Sequence, residues 1–371
     1  MKRNSTKKWF FYGAAFFLQL AALMSTTTTT AQDATYSQFY NNRLYYNPAY
    51  AGASSGLHVN MHYRNQWNKL DCTFDNYTLS VDVAEPNFPG SGGLGVIIQS
   101  DIDGLGNIQT TSATLATSVK IHMSENLLTQ FGLNAAFVRK TVNWDNLIFS
   151  DQIDPRYGVV NPSSFIAPDY NSLNFPDFGV GVLLKFCEET SAINNVVGTL
   201  AVSVQHLFTP DISFYESDAR LPVKLVVMGD VLLDNETGSS SRYSKKDTKF
   251  KINPGFFYEK QGKMSNFSVG LNAYKSYIYS GIWLRNQSFT FTDLKDLIVM
   301  VGANIPFGTN SRIKLRYSYD YILSDVRRVA GATHEVSVIY ELDGFSFFGA
   351  PRGNSSRFGN SKQSCLDCIP F

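Results

Sequence analysis

The sequence predicts an all-β protein: a transmembrane antiparallel β-barrel of about 14 strands. Segments in which apolar and polar residues alternate recur through most of the chain. These segments are roughly 10 to 14 residues long, whereas strands of soluble proteins usually have about five or six. The first thirty residues, moreover, have the pattern of an export signal.

The composition is that of a folded chain with a near-neutral charge. Hydrophobic residues make up 44% of the 371 residues and charged ones 17%, which excludes a disordered protein. Only 4 Cys and 27 Gly are present, so disulfide scaffolds and collagen-like chains are excluded too. A formal charge of +1 cannot hold nucleic acid by counterion release, and we expect no nucleic-acid partner.

Residues 1–31 are predicted to be a signal peptide. Lys2, Arg3, Lys7 and Lys8 form a basic start, an apolar stretch covers 9–24, and threonines lead to small residues ending at Ala31. The alternative is a transmembrane anchor, but a spanning helix needs about 20 apolar residues. We therefore expect cleavage after Ala31 and export from the cytoplasm.

Alternation with a period of two predicts the strands. Leu315 and Tyr317, for example, flank Arg316, and side chains of a strand point to opposite faces in turn. No apolar run is long enough for a membrane helix. The predicted strands lie near 55–66, 72–84, 92–101, 108–121, 127–139, 177–187, 196–207, 222–233, 248–260, 264–275, 277–286, 295–305, 311–322 and 332–342.

Two closed architectures compete for these strands. A soluble sandwich would bury the apolar faces between two sheets. A barrel of the outer-membrane type would turn them towards lipid and carry aromatic girdles at both interfaces. The strand length and the export signal favour the barrel. We assign to its girdles Tyr277, Tyr279, Trp283, Tyr317, Tyr319 and Tyr321.

Connection lengths predict the orientation. With both termini in the periplasm, the longer loops at 140–176, 208–221 and 323–331 face outwards, and short turns at 122–126, 275–276 and 306–310 face inwards. Two connections do not fit, because 234–247 is long on the inner side and 261–263 is short on the outer side. Pro254 within a predicted strand indicates a bulge or a misplaced boundary.

The predicted organisation has four parts. The signal peptide, 1–31, is followed by a segment at 32–54, the barrel at 55–342, and a periplasmic tail at 343–371. The polar and aromatic segment 32–54 is predicted to form a partial plug in the periplasmic mouth; its alternative is an ordinary periplasmic leader strand. The plug would be anchored by Tyr40, Tyr45, Tyr46 and Tyr50.

Motifs of enzymes are missing from the sequence. There is no nucleophile elbow, Walker loop, HExxH helix or Rossmann fingerprint, so we expect no enzyme activity and no cofactor. Cys365 and Cys368 form a single CxxC, for which a disulfide or free thiols, partner docking and a metal site stay open. Asp101 and Asp103 resemble the start of a calcium loop, but Ser112 stands where the loop needs Glu. We therefore predict no metal site.

Other polar residues are predicted to face the lumen. By parity these include His58, His62, Lys314, Arg316 and Asp320. They either line a conduit or ligand site, or form a satisfied charge network that braces a filled barrel. His334 and Glu335 open the last predicted strand, and we expect this pair to form a lumenal hydrogen bond rather than an acid/base couple. The pairing of Cys72 and Cys187 cannot be deduced from the sequence.

Three elements near the start of the mature chain resemble the PorP/SprF family. They are Ser37-Gln38-Phe39, Asn47-Pro48-Ala49-Tyr50-Ala51-Gly52 and Tyr63-Arg64-Asn65-Gln66-Trp67. Further similarity lies at 176–179, at 253–254, at 331–337 and in the last four residues, so the resemblance covers nearly the whole mature chain. Two departures are Ala34-Thr35-Tyr36, where the family often has Pro and Phe, and the additional Cys365.

The resemblance implies a fourteen-stranded outer-membrane barrel of the type IX secretion system of Bacteroidota. Such proteins are not enzymes; they help to export a specific secreted protein, often an adhesin of gliding motility, or hold it at the cell surface. The expected partners are the cargo's C-terminal domain, the secretion machinery and outer-membrane lipid. The alternative is a pore or uptake channel for small polar solutes.

Particular residues follow from this resemblance. Asn47, Pro48, Ala49 and Gly52 carry the family motif. Proline disfavours the helical region for the residue before it, and glycine permits a bend before the first strand. As partner contacts we predict Tyr63, Arg64, Trp67, Cys365 and Cys368.

Overall fold

The computed structural model describes residues 33–348, except 55, 71, 73, 86–91, 105–107, 125, 169, 189–194, 215–218, 236–249, 288–293 and 309. The predicted signal peptide, the tail beyond 348 with its CxxC, and most of the long inner connection at 234–247 lie outside the described residues. Among the described residues, no helix has the length and apolar character needed to cross a membrane.

Fourteen antiparallel strands close into a barrel, as the alternation predicts. Every strand of the barrel overlaps a predicted one. They are β1 (Gly56–Asn65), β2 (Phe74–Ala84), β3 (Gly93–Asp103), β4 (Ile108–His122), β5 (Leu127–Thr141), β6 (Ser172–Glu188), β7 (Asn195–Gln205), β8 (Lys224–Asn235), β9 (Phe250–Gln261), β10 (Met264–Lys275), β11 (Ile278–Asn286), β12 (Leu294–Pro306), β13 (Ser311–Ile322) and β14 (Thr333–Asp343).

Neighbouring strands in the sequence are neighbours in the sheet, and β1 pairs with β14 to close it. Closure gives each barrel strand a neighbour on both sides. We call the end where β1 begins at Gly56 and β14 ends at Asp343 the terminal rim. The opposite end, the loop rim, carries the connections 142–171, 206–223 and 323–332.

Short elements outside the barrel wall complete the fold. Before β1, one helical turn, α1 (Arg43–Tyr46), is followed by a 3-10 turn at Pro48–Tyr50. The loop between β5 and β6 holds a two-stranded sheet of Ile153–Asp154 and Gly158–Val159. A second helical turn, α2 (Arg327–Ala330), lies between β13 and β14.

The two faces of the wall differ as a membrane barrel requires. In β13, Leu315 and Tyr317 are exposed on the outer face, whereas Lys314 and Arg316 are buried inside. Alternating apolar-out and polar-in residues are the pattern of barrels that span membranes. The inward polar residues, however, are buried rather than wet, so the lumen must be filled.

The predicted aromatic girdle is correct only in part. Tyr277, Tyr317 and the neighbouring tyrosines of β13 are exposed on the outer surface. Tyr279 and Trp283 instead face inwards and are almost fully buried, so their assignment to the girdle was wrong. These two rings pack in an aromatic cluster inside the barrel, which removes them from water without the help of lipid.

Two prolines lie within strands without breaking them. Pro254 pairs with Leu271 of β10, and the register between β8 and β9 is the same on both sides of it, so the expected bulge or boundary is absent. β6 begins at Ser172 and contains Pro176, which pairs with Phe137 of β5. The β6–β7 ladder starts only at Val180, so the missing N–H of Pro176 costs no ladder bond on that side.

Candidate functional site: the filled lumen

Residues 33–54, which we call the plug, run through the barrel from one rim to the other. At the loop rim, Asp33 lies 2.7 Å from His206, just after β7, and 3.5 Å from Lys224, the first residue of β8. At the terminal rim, the amide of Gly52 donates to Asp82 of β2 over 3.0 Å. The segment therefore extends well beyond the single mouth in which the sequence placed it.

The middle of the plug forms an aromatic core with the wall. Phe39 stacks on Phe257 at 4.3 Å between ring centroids and meets Trp283 edge-on at 5.0 Å. Tyr46 also contacts Phe257, at 4.9 Å. Each buried aromatic residue removes about 150–250 Å² from water, so this cluster is a large part of what holds the plug. All but one of its members are nearly inaccessible; Tyr40, the exception, is 8% exposed.

Glu335 of β14 binds the backbone of the plug directly. Its two carboxylate oxygens accept the amides of Ser37 at 2.6 Å and Gln38 at 2.9 Å. Arg64 donates its Nε to the same carboxylate at 2.8 Å, and His62 lies 3.3 Å away. Charge-assisted bonds of this kind are about twice as strong as neutral ones.

A second buried charge cluster holds the side chain of Ser37. Its hydroxyl donates to Asp320 of β13 and accepts from Arg285 of β11. Arg285 also pairs with Asp320 at 3.2 Å. Beside it, the side-chain amide of Gln38 donates to the Ser318 hydroxyl, and the Ser337 hydroxyl donates to the side-chain oxygen of Gln38. The Ser37-Gln38 pair of the family motif is thus bound by charged and hydroxyl side chains on one side of the barrel wall.

At the loop rim, His206 lies between two carboxylates. Its Nε2 is 2.7 Å from Asp33 and its Nδ1 is 2.9 Å from Asp177, so the doubly protonated ring satisfies both. Burial lowers the pKa of His206, but Asp33 and Asp177 outweigh this effect and raise it to about 9. Burial likewise raises the pKa of Asp33, yet His206 and Lys224 hold it well below its usual range.

The Asn47-Pro48-Ala49 motif docks on the opposite wall. The Asn47 side chain accepts the Ala49 amide at 2.8 Å and donates to the carbonyls of Val182 and Val202 at 3.2 and 3.1 Å. It thereby caps the 3-10 turn that Pro48 begins. One side chain thus shapes the plug and fastens it to β6 and β7.

Glycines in the wall make room for this motif. A Cβ on Gly132 of β5 would lie 2.2 Å from the Ala49 nitrogen, and one on Gly181 of β6 would lie 1.9 Å from the Asn47 oxygen. Real Cβ atoms do not approach other atoms so closely, because interiors are packed at crystal density. The plug therefore contacts the wall closely at positions where the wall has no side chains.

The end of the motif is fixed in the same way. Gly52 has a φ of 62°, in the left-handed region that glycine adopts without strain. A Cβ there would lie 2.5 Å from the Cα of Gly93. The carbonyl of Ala51 accepts from Ser118 at 2.6 Å and from Gln130 at 2.8 Å. The family motif is thus the docking device that seats the plug before β1.

The residues predicted as lumenal all lie on the inner face, and each of them contacts other inner-face residues. His58 lies 3.1 Å from Asp82, and Lys314 lies 2.6 Å from Glu341. The Arg316 guanidinium lies 4.2 Å from the centroid of the Tyr279 ring and donates to backbone carbonyls of β12 and β13. His62 and Asp320 belong to the two charge clusters described above.

The predicted partner contacts are scattered. Tyr63 faces outwards, beside Tyr77 and bonded to Asp75, while Arg64 is buried on Glu335 inside the barrel. Trp67 lies in a turn at the loop rim with a φ of 58° and contacts Phe74. Cys365 and Cys368 lie outside the described residues.

The remaining candidates are simply placed. Cys72 is free, and Cys187 at the end of β6 is buried and disulfide-bonded. His334 and Glu335 lie on opposite faces of β14, and only Glu335 reaches the lumen. Asp101 accepts from the Asn76 side chain. In the described part of the chain, no cluster of three or more His, Cys, Asp or Glu residues is arranged to hold a metal ion.

Sequence reasoning missed several residues that hold the plug. Arg285, Lys224 and His206 are spread over three parts of the chain, and no local spacing joins them. The inward glycines could have been found as glycines at inward positions of predicted strands, because glycine weakens a strand unless something approaches closely. The direction of Trp283 could not, because alternation does not tell which face is inside.

An antiparallel barrel with an even number of strands, an apolar outer face and a polar inner face is of the outer-membrane type. Here the chain's own N-terminal segment fills the lumen. The family described as "Type IX secretion system membrane protein PorP/SprF" matches residues 28–340, and the chain belongs to this family.

Solved structures with a similar fold are distant in sequence. The translocator domain of the autotransporter NalP from Neisseria meningitidis is 13% identical, with a TM-score of 0.38 over 77% of this chain and 88% of that one. The CymD monoaromatic hydrocarbon channel is 11% identical, with a TM-score of 0.43 over 82% of this chain and 93% of that one. No curated protein matches the chain.

Proposed function

We propose that the protein is a non-enzymatic barrel of the type IX secretion system that binds a specific secreted protein and helps to export it or hold it at the cell surface. Family membership supports the link to the secretion machinery. In this proposal the terminal rim faces the periplasm and the loop rim faces the cell exterior, in line with the longer loops at that rim.

The filled lumen is the observation that carries this proposal. A solute channel of this fold needs a water-filled interior. Here the plug contacts strands all round the wall, from Thr78 of β2 to Gly229 of β8 and Glu335 of β14. Aromatic rings occupy the centre of the barrel. Such an interior favours a rigid scaffold over the alternative of a pore for small polar solutes.

The loop rim offers a surface for the cargo. In the connection 142–171, large apolar side chains are exposed, most of all Ile166 at 88% and Tyr157 at 69%. Phe208 of the adjacent connection is 74% exposed. Clusters of exposed apolar residues mark sites of protein association. We propose that the cargo's C-terminal domain docks there. The secretion machinery and the outer-membrane lipid would then contact other surfaces of the barrel.

Affinity purification from native membranes tests this function. The full-length chain carries a tag in an exposed stretch of 142–171, and mass spectrometry identifies what it retains. We expect a large secreted protein together with type IX components. A variant with Ile166→Asp and Phe208→Asp should lose the secreted protein but keep the machinery.

The matched control places the same charge away from this surface. Val326→Asp combined with Val329→Asp, in the connection next to β14, introduces two aspartates at exposed apolar positions. It should retain the cargo. Recovery of the barrel alone from every sample, together with stepwise ionic currents from the same material, would reject the proposal in favour of the pore.

A further inference from the structure

The plug does not fill the lumen completely. Beside it, on the loop-rim side of β3 to β6, lies a cavity of about 130 Å³, which we call the side chamber. A buried water needs roughly 10–15 Å³ of such space, so the side chamber has room for about ten. This corresponds to about the number of non-hydrogen atoms in one hexose ring.

The lining of the side chamber combines uncharged polar, apolar and acidic or basic side chains, and the acidic and basic ones are Asp33, Asp101, Asp103, Lys140, Asp177 and His206. Inward positions of β3, β4 and β5 bring hydroxyl and amide groups to its wall: Gln99, Thr110, Ser112, Thr114 and Asn134. Within the part of the chain that the structure describes, none of these five side chains has a hydrogen-bond partner. Thr114 is among them although only 9% of it is exposed.

Buried polar groups usually have a hydrogen-bond partner, either in the protein or in a bound molecule. Of the five side chains, Thr114 is buried and the other four are half-buried. Besides the five side chains, one carboxylate oxygen of Asp177 is buried in the lining without a hydrogen bond. Its other oxygen is bonded to His206. The chamber thus presents donors and acceptors that the protein itself leaves unused.

The chamber also has apolar surfaces and an opening. Tyr45 of the plug and Phe175 of β6 contribute rings, and Ile212 and Leu221 of the connection 206–223 line it at the loop rim. Asp101 and Asp103 line both the chamber and a wider space of about 570 Å³ that reaches Trp67 at the loop rim. A small molecule can therefore enter from that rim.

We propose that the side chamber binds one sugar ring, either a free monosaccharide or the terminal residue of a glycan. Hydroxyls of a sugar both donate and accept, which matches hydroxyl, amide and carboxylate groups together. Its C–H face suits an aromatic wall. The carboxylates of Asp101, Asp103 and Asp177 add further acceptors for sugar hydroxyls.

Calorimetric titration of the purified full-length barrel tests this proposal. The detergent must have no sugar head group; dodecylphosphocholine is suitable. One arm uses methyl glycosides of hexoses, deoxyhexoses and N-acetylhexosamines, and the other uses oligosaccharides that end in the same sugars. Binding in the first arm indicates a free sugar as sufficient ligand, whereas binding only in the second indicates a glycan end.

Two variants probe the chamber itself. Thr114→Val removes one hydroxyl with little change in shape, and it should weaken binding about two- to tenfold. Ser112→Trp fills the space and should abolish binding. Thr111→Val is the matched control, because Thr111 lies on the outer face of the same strand. Thermal unfolding verifies that each variant is folded.

Three results would overturn the assignment. The first is the absence of binding for every sugar in both arms. The second is binding that Thr114→Val and Ser112→Trp leave unchanged, or that Thr111→Val weakens equally. The third is a response to glycylglycine amide but not to sugars, which would assign the chamber to peptide backbone.

Discussion

The two sides of the lumen hold the same plug by different means. On the side of β1, β11, β13 and β14, buried charges bind it, with Glu335 on the backbone amides and Asp320 on Ser37. On the side of β5 and β6, the wall has no side chains at Gly132 and Gly181, and the motif fits into the space with its backbone at Gly132 and with the Asn47 side chain at Gly181. The charged side thus requires hydrogen-bonding groups on the plug, whereas the glycine side requires a plug of matching shape.

This difference explains why the family motif contains residues of two kinds. Ser37 and Gln38 offer donors to carboxylates that are themselves paired with arginine. Asn47 and Ala49 offer a compact turn to a surface without side chains. Charge-assisted hydrogen bonds fix the position of the plug because they need a particular direction, whereas close packing fixes it because other positions would cause steric clashes. Together they define a single register of the plug in the barrel.

The largest expected effect is on the charged side. Glu335→Gln leaves Arg64 buried without its carboxylate, and breaking a buried pair costs about 3–5 kcal/mol of the free energy of unfolding. Urea unfolding in lipid vesicles, followed by the fluorescence of Trp283 beside the plug, measures it. The same change at Glu188, which lies exposed at the end of β6, should have little effect. Equal losses in both variants would refute the role of Glu335.

A methyl group on the glycine side should have the next largest effect. Gly132→Ala forces the backbone at Ala49 to move, and overpacking of this kind costs about 1–3 kcal/mol. Increased cleavage of the plug by an added protease would report the displacement. Gly198→Ala is the control, since no atom lies within 4 Å of a Cβ built there. If Gly132→Ala behaves like Gly198→Ala, shape does not hold the plug.

Removing the cap of the motif should cost less. Asn47→Ala loses the cap on the Ala49 amide and the two bonds to β6 and β7, which we expect to lower the free energy of unfolding by about 1–2 kcal/mol. Asn47→Asp retains the cap but not the donor. It should therefore fall between the wild type and the alanine variant in the same urea experiment.

The smallest effect should depend on pH. The pKa of His206 is raised to about 9 in the folded protein. Its contribution to stability is therefore complete below its ordinary pKa of about 6.5 and is lost as the pH rises through 9. Because its partners Asp33 and Asp177 are partly exposed to solvent, we expect roughly 1 kcal/mol.

The free energy of unfolding at pH 6 and pH 9.5 measures this contribution. His206→Asn should remove the part of the alkaline loss that depends on this ring. His334→Asn, on the outer face of β14, should keep it. A wild-type protein whose difference between the two pH values equals that of His206→Asn would show that the ring does not hold Asp33.

Much of the barrel could be predicted from the sequence, because alternation records which residues share a face. Strand β13 is an example, with Lys314 and Arg316 on the polar face as expected. The use of that face was harder to predict. Tyr279 and Trp283 are typical of a lipid interface, but they lie on the inner face, where Trp283 packs against Phe39 of the plug and Tyr279 belongs to the same buried cluster.

The parts of the site that joined distant segments could not be predicted. His206 contacts Asp33, which is 173 residues away in the sequence, and Arg285 contacts Ser37, which is 248 residues away. Such contacts depend on the path of the plug, which no local pattern contains. The resemblance to a family identified the motif, whereas the structure supplies its physical role at Gly132 and Gly181.

The central claim is that the native barrel is a closed scaffold. Planar-bilayer recording on the purified full-length protein tests this most directly. We expect no stepwise currents from the wild type, and discrete currents when Glu335→Gln and Gly132→Ala are combined to loosen both sides of the plug. Stepwise currents of the same size from the wild type and the double variant would contradict the account.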